Sequence, residues 1–513
     1  MGRLILRDLL ALPRSLGLPK SLGLPAGLAL LASLALAACA VGPNFKRPAP
    51  PAAADYGSAP ATGDTTRSEG PGGQAQHLAP GADLPAAWWS LFQSPALNRL
   101  IERALADNAD LKSAQAALRQ AHELYEAQRA SFLPTVQAGF SATRAKNAVA
   151  TIANPTSLPQ ANPYYNLYTA DLTVSYLPDV FGGTRRAVEA AHAQEESSRF
   201  QLEATYLTLT SNVVVTAVQE ASLRGQIAAT ERLLALQHHL TEVVRAQRSL
   251  GTVSDLDVLT QQASEEQTAA TLPPLEKQLG QTRDALTALI GRLPSEEPAE
   301  RFELDALELP TEIPVALPST LIEHRPDVRE AEANLHVASA QVGVAIANLL
   351  PQFSINGDLG SEALTLGGLF GPYTSFWTAG GSLTQTLFEG GALLHRKRAA
   401  DAALDQAAAQ YRAAVILACQ NVADSLRALK ADADALRASA AADRAAKALF
   451  DLARKQHELG TINALALLSA EQAYQQAELS AVQARANRYA DTAALFQALG
   501  GGWWNRPEGR RSP

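Results

Sequence analysis

The feature that most constrains this chain is a long proline-free helical run that occurs twice. Residues 184–250 hold no proline and a single glycine, and Tyr206, Leu209, Val213, Thr216, Glu220, Leu223, Ile227, Thr230 and Leu234 recur at alternating spacings of three and four. That spacing predicts a coiled-coil seam. At 1.5 Å per residue the helix is about 100 Å long, far beyond the three or four turns of an ordinary globular helix. Such a segment spans a distance rather than filling a compact domain.

The second copy covers residues 393–499, with its seam at Tyr411, Val415, Ala418, Val422, Ser425 and Leu429. Both copies turn on the same pattern: Leu250-Gly251-Thr252-Val253-Ser254-Asp255-Leu256 aligns with Leu459-Gly460-Thr461-Ile462-Asn463-Ala464-Leu465. Glycine suits a tight helical turn because it has no β-carbon. Each turn is expected to lead into one unbroken return helix.

Ahead of each helical run the period changes from 3.6 to 2. A helix over 95–130 ends at Leu133-Pro134, and then Val136, Ala138, Phe140 and Ala142 alternate with polar or small residues. Tyr168, Ala170, Leu172, Val174 and Tyr176 do the same, after a loop over 147–163 rich in Asn, Pro, Thr and Ala. The second half repeats the order, with Phe353, Ile355, Gly357 and Leu359, then Trp377, Ala379, Gly381 and Leu383. The chain is thus a tandem repeat of helix, strand, loop, strand and helical hairpin. Strands of this length with one apolar face suit a transmembrane barrel, although a soluble half-buried sheet has the same alternation. Four strands cannot close, because the smallest membrane barrel needs about 8. Open edges cannot face lipid, so several copies must combine.

The N-terminus favours the membrane reading. Arg3, Arg7, Arg14 and Lys20 precede an apolar run over 22–38 that ends in Leu36-Ala37-Ala38-Cys39. This is the order of an export signal with a lipoprotein cleavage site, and Pro25 argues against a short transmembrane anchor. A covalent lipid on Cys39 is the one attached group expected, and no cofactor or metal is. The resulting division is 1–38 signal peptide, 39–84 lipidated extended tether, 85–291 first repeat, 292–318 joining segment, 319–502 second repeat and 503–513 tail.

The composition excludes several functions. Charged residues make up 18% with a net charge of −8, which lacks the basic excess that nucleic acid requires. His122, His192, His238, His239 and His324 have no ligand partners at metal spacing. The sole methionine is Met1, which rules out a methionine soft-metal site, and Cys419 is a lone thiol. No phosphate-cradling loop is present, and Gly500-Gly501-Gly502 reads as a helix stop. The basic clusters Arg185-Arg186 and His395-Arg396-Lys397-Arg398 fit either lipid head groups or solvated helix starts. No enzyme constellation emerges.

Several motifs, in order and partly duplicated, carry a resemblance: Cys39-Ala40-Val41-Gly42-Pro43-Asn44-Phe45, Trp88-Trp89 with Asn108-Ala109-Asp110-Leu111, Arg325-Pro326-Asp327, Leu350-Pro351, and Ala498-Leu499-Gly500-Gly501-Gly502-Trp503. The chain resembles the TolC-like outer membrane factor family, in the lipoprotein branch that serves resistance-nodulation-division (RND) efflux systems. The resemblance implies a mainly α fold with a transmembrane β-barrel: a homotrimer with a twelve-stranded β-barrel and a twelve-helix α-barrel. It also implies an inner-membrane RND pump and a periplasmic adaptor as partners, the adaptor meeting the tips at Leu250, Gly251, Thr252, Leu459, Gly460 and Thr461. Gate residues carried over are Asp255, Asp257, Leu465, Leu468 and Ser469, with Ser469 and Ala466 standing where relatives often have aspartate. Like charges brought together by symmetry are expected to raise the pKa of Asp255 and Asp257. An alternative with the same fold is the exit duct of a type I protein secretion system.

If Cys39 carries the lipid, Cys39→Ser leaves an unacylated precursor or a form lost from the outer membrane. Metabolic labelling with a radioactive fatty acid checks it, and label retained on the Ser variant contradicts the assignment.

Overall fold

The structure, a computed structural model, describes residues 40–50, 55–57, 62–146 and 164–506. The signal segment, Cys39 and the 147–163 loop lie outside the described residues. The N-terminal part holds β1 (Gly63–Asp64) and β2 (His77–Pro80). The first repeat follows as α1 (Pro95–Asp107), α2 (Ala109–Arg129), β3 (Thr135–Lys146), β4 (Tyr164–Tyr176), α3 (Gly183–Ser249), α4 (Asp255–Ala269) and α5 (Leu272–Leu289). After the joining strand β5 (Glu312–Val315), the second repeat runs α6 (Pro318–His324), α7 (Pro326–Ala347), β6 (Gln352–Ala363), β7 (Ser375–Thr384), α8 (Ala392–Glu458) and α9 (Ala464–Ala498). These elements fall into two compact units, a sheet unit around 134–185 and 346–386 and a helical unit made of 42–133, 186–345 and 387–513.

The sheet unit is a four-stranded antiparallel sheet in the order β3-β4-β6-β7. Its registers stack the apolar positions of all four strands on one face: Val136 pairs with Val174 and that with Gly357, while Ala138, Leu172, Leu359 and Trp377 form the next row. A one-residue slip in any pair would turn its apolar set to the other face, so this agreement specifies the register. The opposite face is hydrogen-bonded across strands. Thr173 and Thr378 donate to the two oxygens of Asp358 at 2.8 and 2.9 Å, Ser175 donates to Asn356 at 3.0 Å, and Ser354 and Ser382 lie 2.7 Å apart. Val136, Phe140, Leu172, Ile355, Leu359 and Leu383 are exposed, and Trp377 is 75% exposed. Within the described sheet, β3 and β7 each keep one unpaired edge.

In the helical unit, α3 and α8 are each 67 residues long, as the seams require. Leu209, Val213, Leu223 and Thr230 of α3 and Tyr411, Ala418, Val422 and Leu429 of α8 are buried. Glu220 also sits in the seam, fully buried, because Arg224 and Arg283 hold it at 2.8 and 2.7 Å. Two expected helices are broken. The 95–130 helix splits at Asn108, whose side chain caps α2 at the Leu111 amide and donates to the Leu289 carbonyl, both at 2.9 Å. The first return helix is interrupted between α4 and α5, where Pro273 and Pro274 occupy the first turn of α5 and cannot continue an α-helical ladder from α4. Only the second return, α9, is a single helix of 35 residues.

The segment expected to be a tether is extended but fastened down. β2 pairs in parallel with β5, and the Tyr56 hydroxyl donates to the Ala316 carbonyl at 2.8 Å. Arg488 of α9 is fully buried beneath this segment, donating to the Gly72 and Gln74 carbonyls at 2.8 and 2.6 Å and to Thr65 at 3.0 Å. Further upstream Phe45 stacks on His336 at 4.2 Å, and Arg47 pairs with Glu332 at 3.1 Å. The joining segment buries Phe302, Leu304, Leu307, Leu309, Ile313 and Val315. Arg325 bridges the start of α7 to the end of α9, binding Asp327 and the Ala498 carbonyl at 3.0 Å. The three glycines after α9 all have positive φ, and a β-carbon on Gly500 would come within 2.6 Å of the His324 carbonyl.

Arg488→Leu is expected to release the N-terminal segment, since it orphans the buried Gly72 carbonyl at about 1–3 kcal/mol and loses the part-buried bond to Gln74. Limited proteolysis between residues 62 and 84 should become faster while far-ultraviolet circular dichroism stays helical. Unchanged cleavage would mean that β2 alone holds the segment.

Candidate functional site: the hairpin tips

Both hairpins turn by the same construction. In the first, Gly251 has φ +78°; its amide donates to the Arg248 carbonyl at 3.0 Å and the Thr252 amide to the Gln247 carbonyl at 3.0 Å. In the second, Gly460 has φ +72°, with Gly460 to His457 and Thr461 to Gln456 both at 2.9 Å. These paired bonds are a Schellman motif, which satisfies the last carbonyls of the outgoing helix and demands a left-handed residue. Thr252 and Thr461 add side-chain bonds to the same carbonyls at 2.9 Å. The return helices are then capped: Ser254 and Asp257 form a reciprocal capping box on α4, and Asn463 accepts the Ala466 amide at 2.9 Å on α9. No atom lies within 4 Å of a β-carbon built on either glycine, so the constraint there is backbone conformation and not space.

The residues carried over as a gate are not on one face. Leu465 is 63% exposed and Ser469, one turn on, is exposed beside it and donates to the Leu465 carbonyl at 2.9 Å. Leu468 is only 8% exposed, turned into the protomer next to buried Leu467. Leu468 therefore does not share the exposed stripe of Leu465, because at 100° per residue a step of three leaves it on the packed side here. The first hairpin offers Leu256, aligned with Leu465 and 73% exposed, and Leu259, also exposed. The signal for Leu256 in the sequence is its place opposite Leu465 in the alignment of the two turns. Leu250 and Leu459 crown the tips and are exposed as well.

The two carboxylates have local partners. Arg248 binds Asp255 through both oxygens at 2.6 and 2.9 Å and holds its carboxyl below the usual range. Asp257 is lowered by bonds from the Ser254 hydroxyl at 2.7 Å and amide at 2.9 Å. Within one protomer both directions are downward, set by these local partners. Because a lowered pKa favours the ionised form, these ties are intact above the unperturbed carboxylate pKa and fail only as pH falls through the lowered values.

Arg186 serves packing, and the other basic and histidine side chains have local partners. Arg186 is buried and pairs with Glu189 at 2.7 Å and with Asn44 at 2.6 Å, so it is a clasp for the N-terminal segment rather than a head-group contact or a solvated charge. Lys397 pairs with Asp401 at 2.6 Å and Arg396 with Glu389 at 3.6 Å. His122 and His238 each pair with a glutamate at 2.8 Å, and His324 stacks on Trp504 at 3.7 Å. Among the described residues no group of three or more His, Cys, Asp or Glu could hold a metal ion. No described helix is long and apolar enough to cross a membrane.

A sheet with an exposed apolar face and open edges, in one chain with two helical hairpins of this length, fits a barrel-forming channel of the outer membrane. The profile described as outer membrane efflux protein matches residues 100–292 and 317–501. The chain belongs to this family of outer membrane efflux channels. It is 30% identical over 428 residues to the pyoverdine export outer membrane protein OpmQ of Pseudomonas aeruginosa, covering 82% of this chain and 88% of that protein. It is 28% identical to the toluene efflux pump outer membrane protein TtgC of Pseudomonas putida, over 91% and 93% of the two chains. Among solved structures, the open state of the MtrE outer membrane channel of Neisseria gonorrhoeae superposes with a TM-score of 0.77 at 27% identity, covering 91% of this chain and 99% of that one.

Gly251→Ala and Gly460→Ala each force an L residue into the left-handed region, at a cost of about 1–2 kcal/mol. Amide exchange at Thr252 or Thr461 should quicken roughly five-fold or more in the corresponding variant, and unchanged protection would mean that the turn relaxes without strain.

Proposed function

We propose that three copies of this chain close their sheets into one twelve-stranded barrel and pack their hairpins into a twelve-helix tube. The trimer acts as the outer membrane duct of an RND efflux system. The single observation that carries this reading is the apolar-faced sheet with an unpaired strand edge at each end. Such a sheet satisfies its backbone in lipid only when copies pair edge to edge. A lipid on Cys39 fastens the N-terminus to the same membrane. An inner-membrane RND pump and a periplasmic adaptor deliver small organic molecules, the adaptor meeting the tips around Leu250, Gly251, Thr252, Leu459, Gly460 and Thr461. The channel itself performs no chemistry. The relatives named for pyoverdine export and toluene efflux support small organic cargo.

At the tips, Leu256 and Leu465 are the exposed apolar side chains that symmetry would gather, and a ring of them restricts flow by excluding water. Asp255 and Asp257 sit among them and, being ionised, favour cations. Leu468 contributes to holding the helices together.

The purified protein should run as a trimer by native mass spectrometry and conduct in planar bilayers. Leu256→Ala with Leu465→Ala should raise single-channel conductance, whereas Leu468→Ala should lower thermal stability by about 2–5 kcal/mol without widening the pore. A stable monomer with no conductance would overturn the reading.

A further inference from the structure

Glu471 lies on α9 just beyond the second tip and is fully buried. Neither of its carboxylate oxygens makes a hydrogen bond of ordinary length and angle. The polar groups that face it are the amides of Gln237 on α3 and Gln261 on α4, so an acid of the second hairpin is inserted against both arms of the first. The two amides are themselves under-satisfied: Gln237 donates to Ser264 at 3.4 Å, while Gln237 Oε1 and Gln261 Nε2 make no bond of ordinary geometry. An apolar cluster of Leu240, Phe450, Ala453, Leu467 and Ala470 shares this stretch.

Among the described residues no charged group offsets the acid. On α3 and α4, His238 and Glu265 pair with each other at 2.8 Å with His238 exposed. On α8, buried His457 has its Nδ1 3.3 Å from the Ile462 carbonyl. A carboxylate without a cation in such a place is costly, so the group takes up a proton.

We propose that Glu471 is a proton-operated latch between the two hairpins: protonated, it lets α9 pack against α3 and α4; ionised, it draws water in and drives the tips apart. Burial pushes its carboxyl from 4.5 up to about 7, against the Gln237 and Gln261 amides, which favour the anion. The packed arrangement binds the proton more tightly than a separated, hydrated one. Packing is therefore fully favoured below the ordinary glutamate range and loses that advantage as pH rises through about 7. Asp255 and Asp257, held low by their partners, contribute nothing in this window. The inference rests on the channel reading above and assigns its regulation to a residue outside the exposed tip stripe.

Planar-bilayer recordings of the full-length protein between about pH 5 and pH 8 test it. The wild-type open probability should rise at least about three-fold with pH. Glu471→Gln and Glu471→Leu should both stay at the low level throughout. Asp432→Asn is the control: burial and the neighbouring Asp491 also hold Asp432 above the usual range, and that variant should keep the wild-type response. Conducting Glu471 variants with an unchanged pH profile would overturn the latch and leave the channel reading intact. Should the wild type not conduct at all, the channel reading falls, and amide exchange over residues 464–472 then decides the latch. Exchange that quickens with pH beyond the intrinsic rate in wild type, and not in Glu471→Gln, supports it; identical profiles overturn it.

Discussion

The structure depends on unpaired backbone groups at the edges of a sheet. β3 and β7 end the described sheet, and among the described residues no other strand pairs with their outward amides and carbonyls. An unsatisfied backbone group in hydrocarbon costs several kcal/mol. The apolar row through Ala138, Leu172, Leu359 and Trp377 makes the opposite demand, because it wants no water. The proposed closure by further copies, with that row outward, would meet both demands. The polar face is prepared for a wet interior, since Asp358 is already held by Thr173 and Thr378.

Helices of 67 residues raise a different problem. Their stability comes from tertiary packing along the whole length rather than from propensity. The helical unit meets this with a band of irregular chain. Arg488 secures residues 65–74 and Arg325 joins the start of α7 to the end of α9. Arg186 holds Asn44. Guanidinium groups suit this task because each presents several donors to carbonyls that have no strand partner. Toward the tips that band is absent, and the small cluster around Phe450 and Leu467 stands alone with under-satisfied Gln237, Gln261 and Glu471. Such a region opens more readily than the middle of the bundle.

Much of this was legible in the residues. The strand registers follow from alternation at period 2, and the tips from a Leu-Gly-Thr turn followed by Ser or Asn as helix cap. The breaks at Asn108 and at Pro273-Pro274 were legible too, since an Asn cap and a proline pair are local signals, but the longer periodicity concealed them. What had no local signature was partnership. Arg186 beside Asn44 and Glu471 beside Gln237 join residues far apart in sequence, and nothing in either neighbourhood marks them.

The sequence by itself determined the repeat, the two periodicities and the conformations of the tip glycines, because these are set by interactions within a few residues. Only the tertiary structure decided that Leu468 is packed while Leu465 is exposed, since both fit a helical seam and burial depends on which helix stands opposite. It also decided that, within one protomer, local partners stabilise Asp255 and Asp257 as anions. A carboxyl's ionisation follows the nearest charge and donor, and for these two that is Arg248 and Ser254.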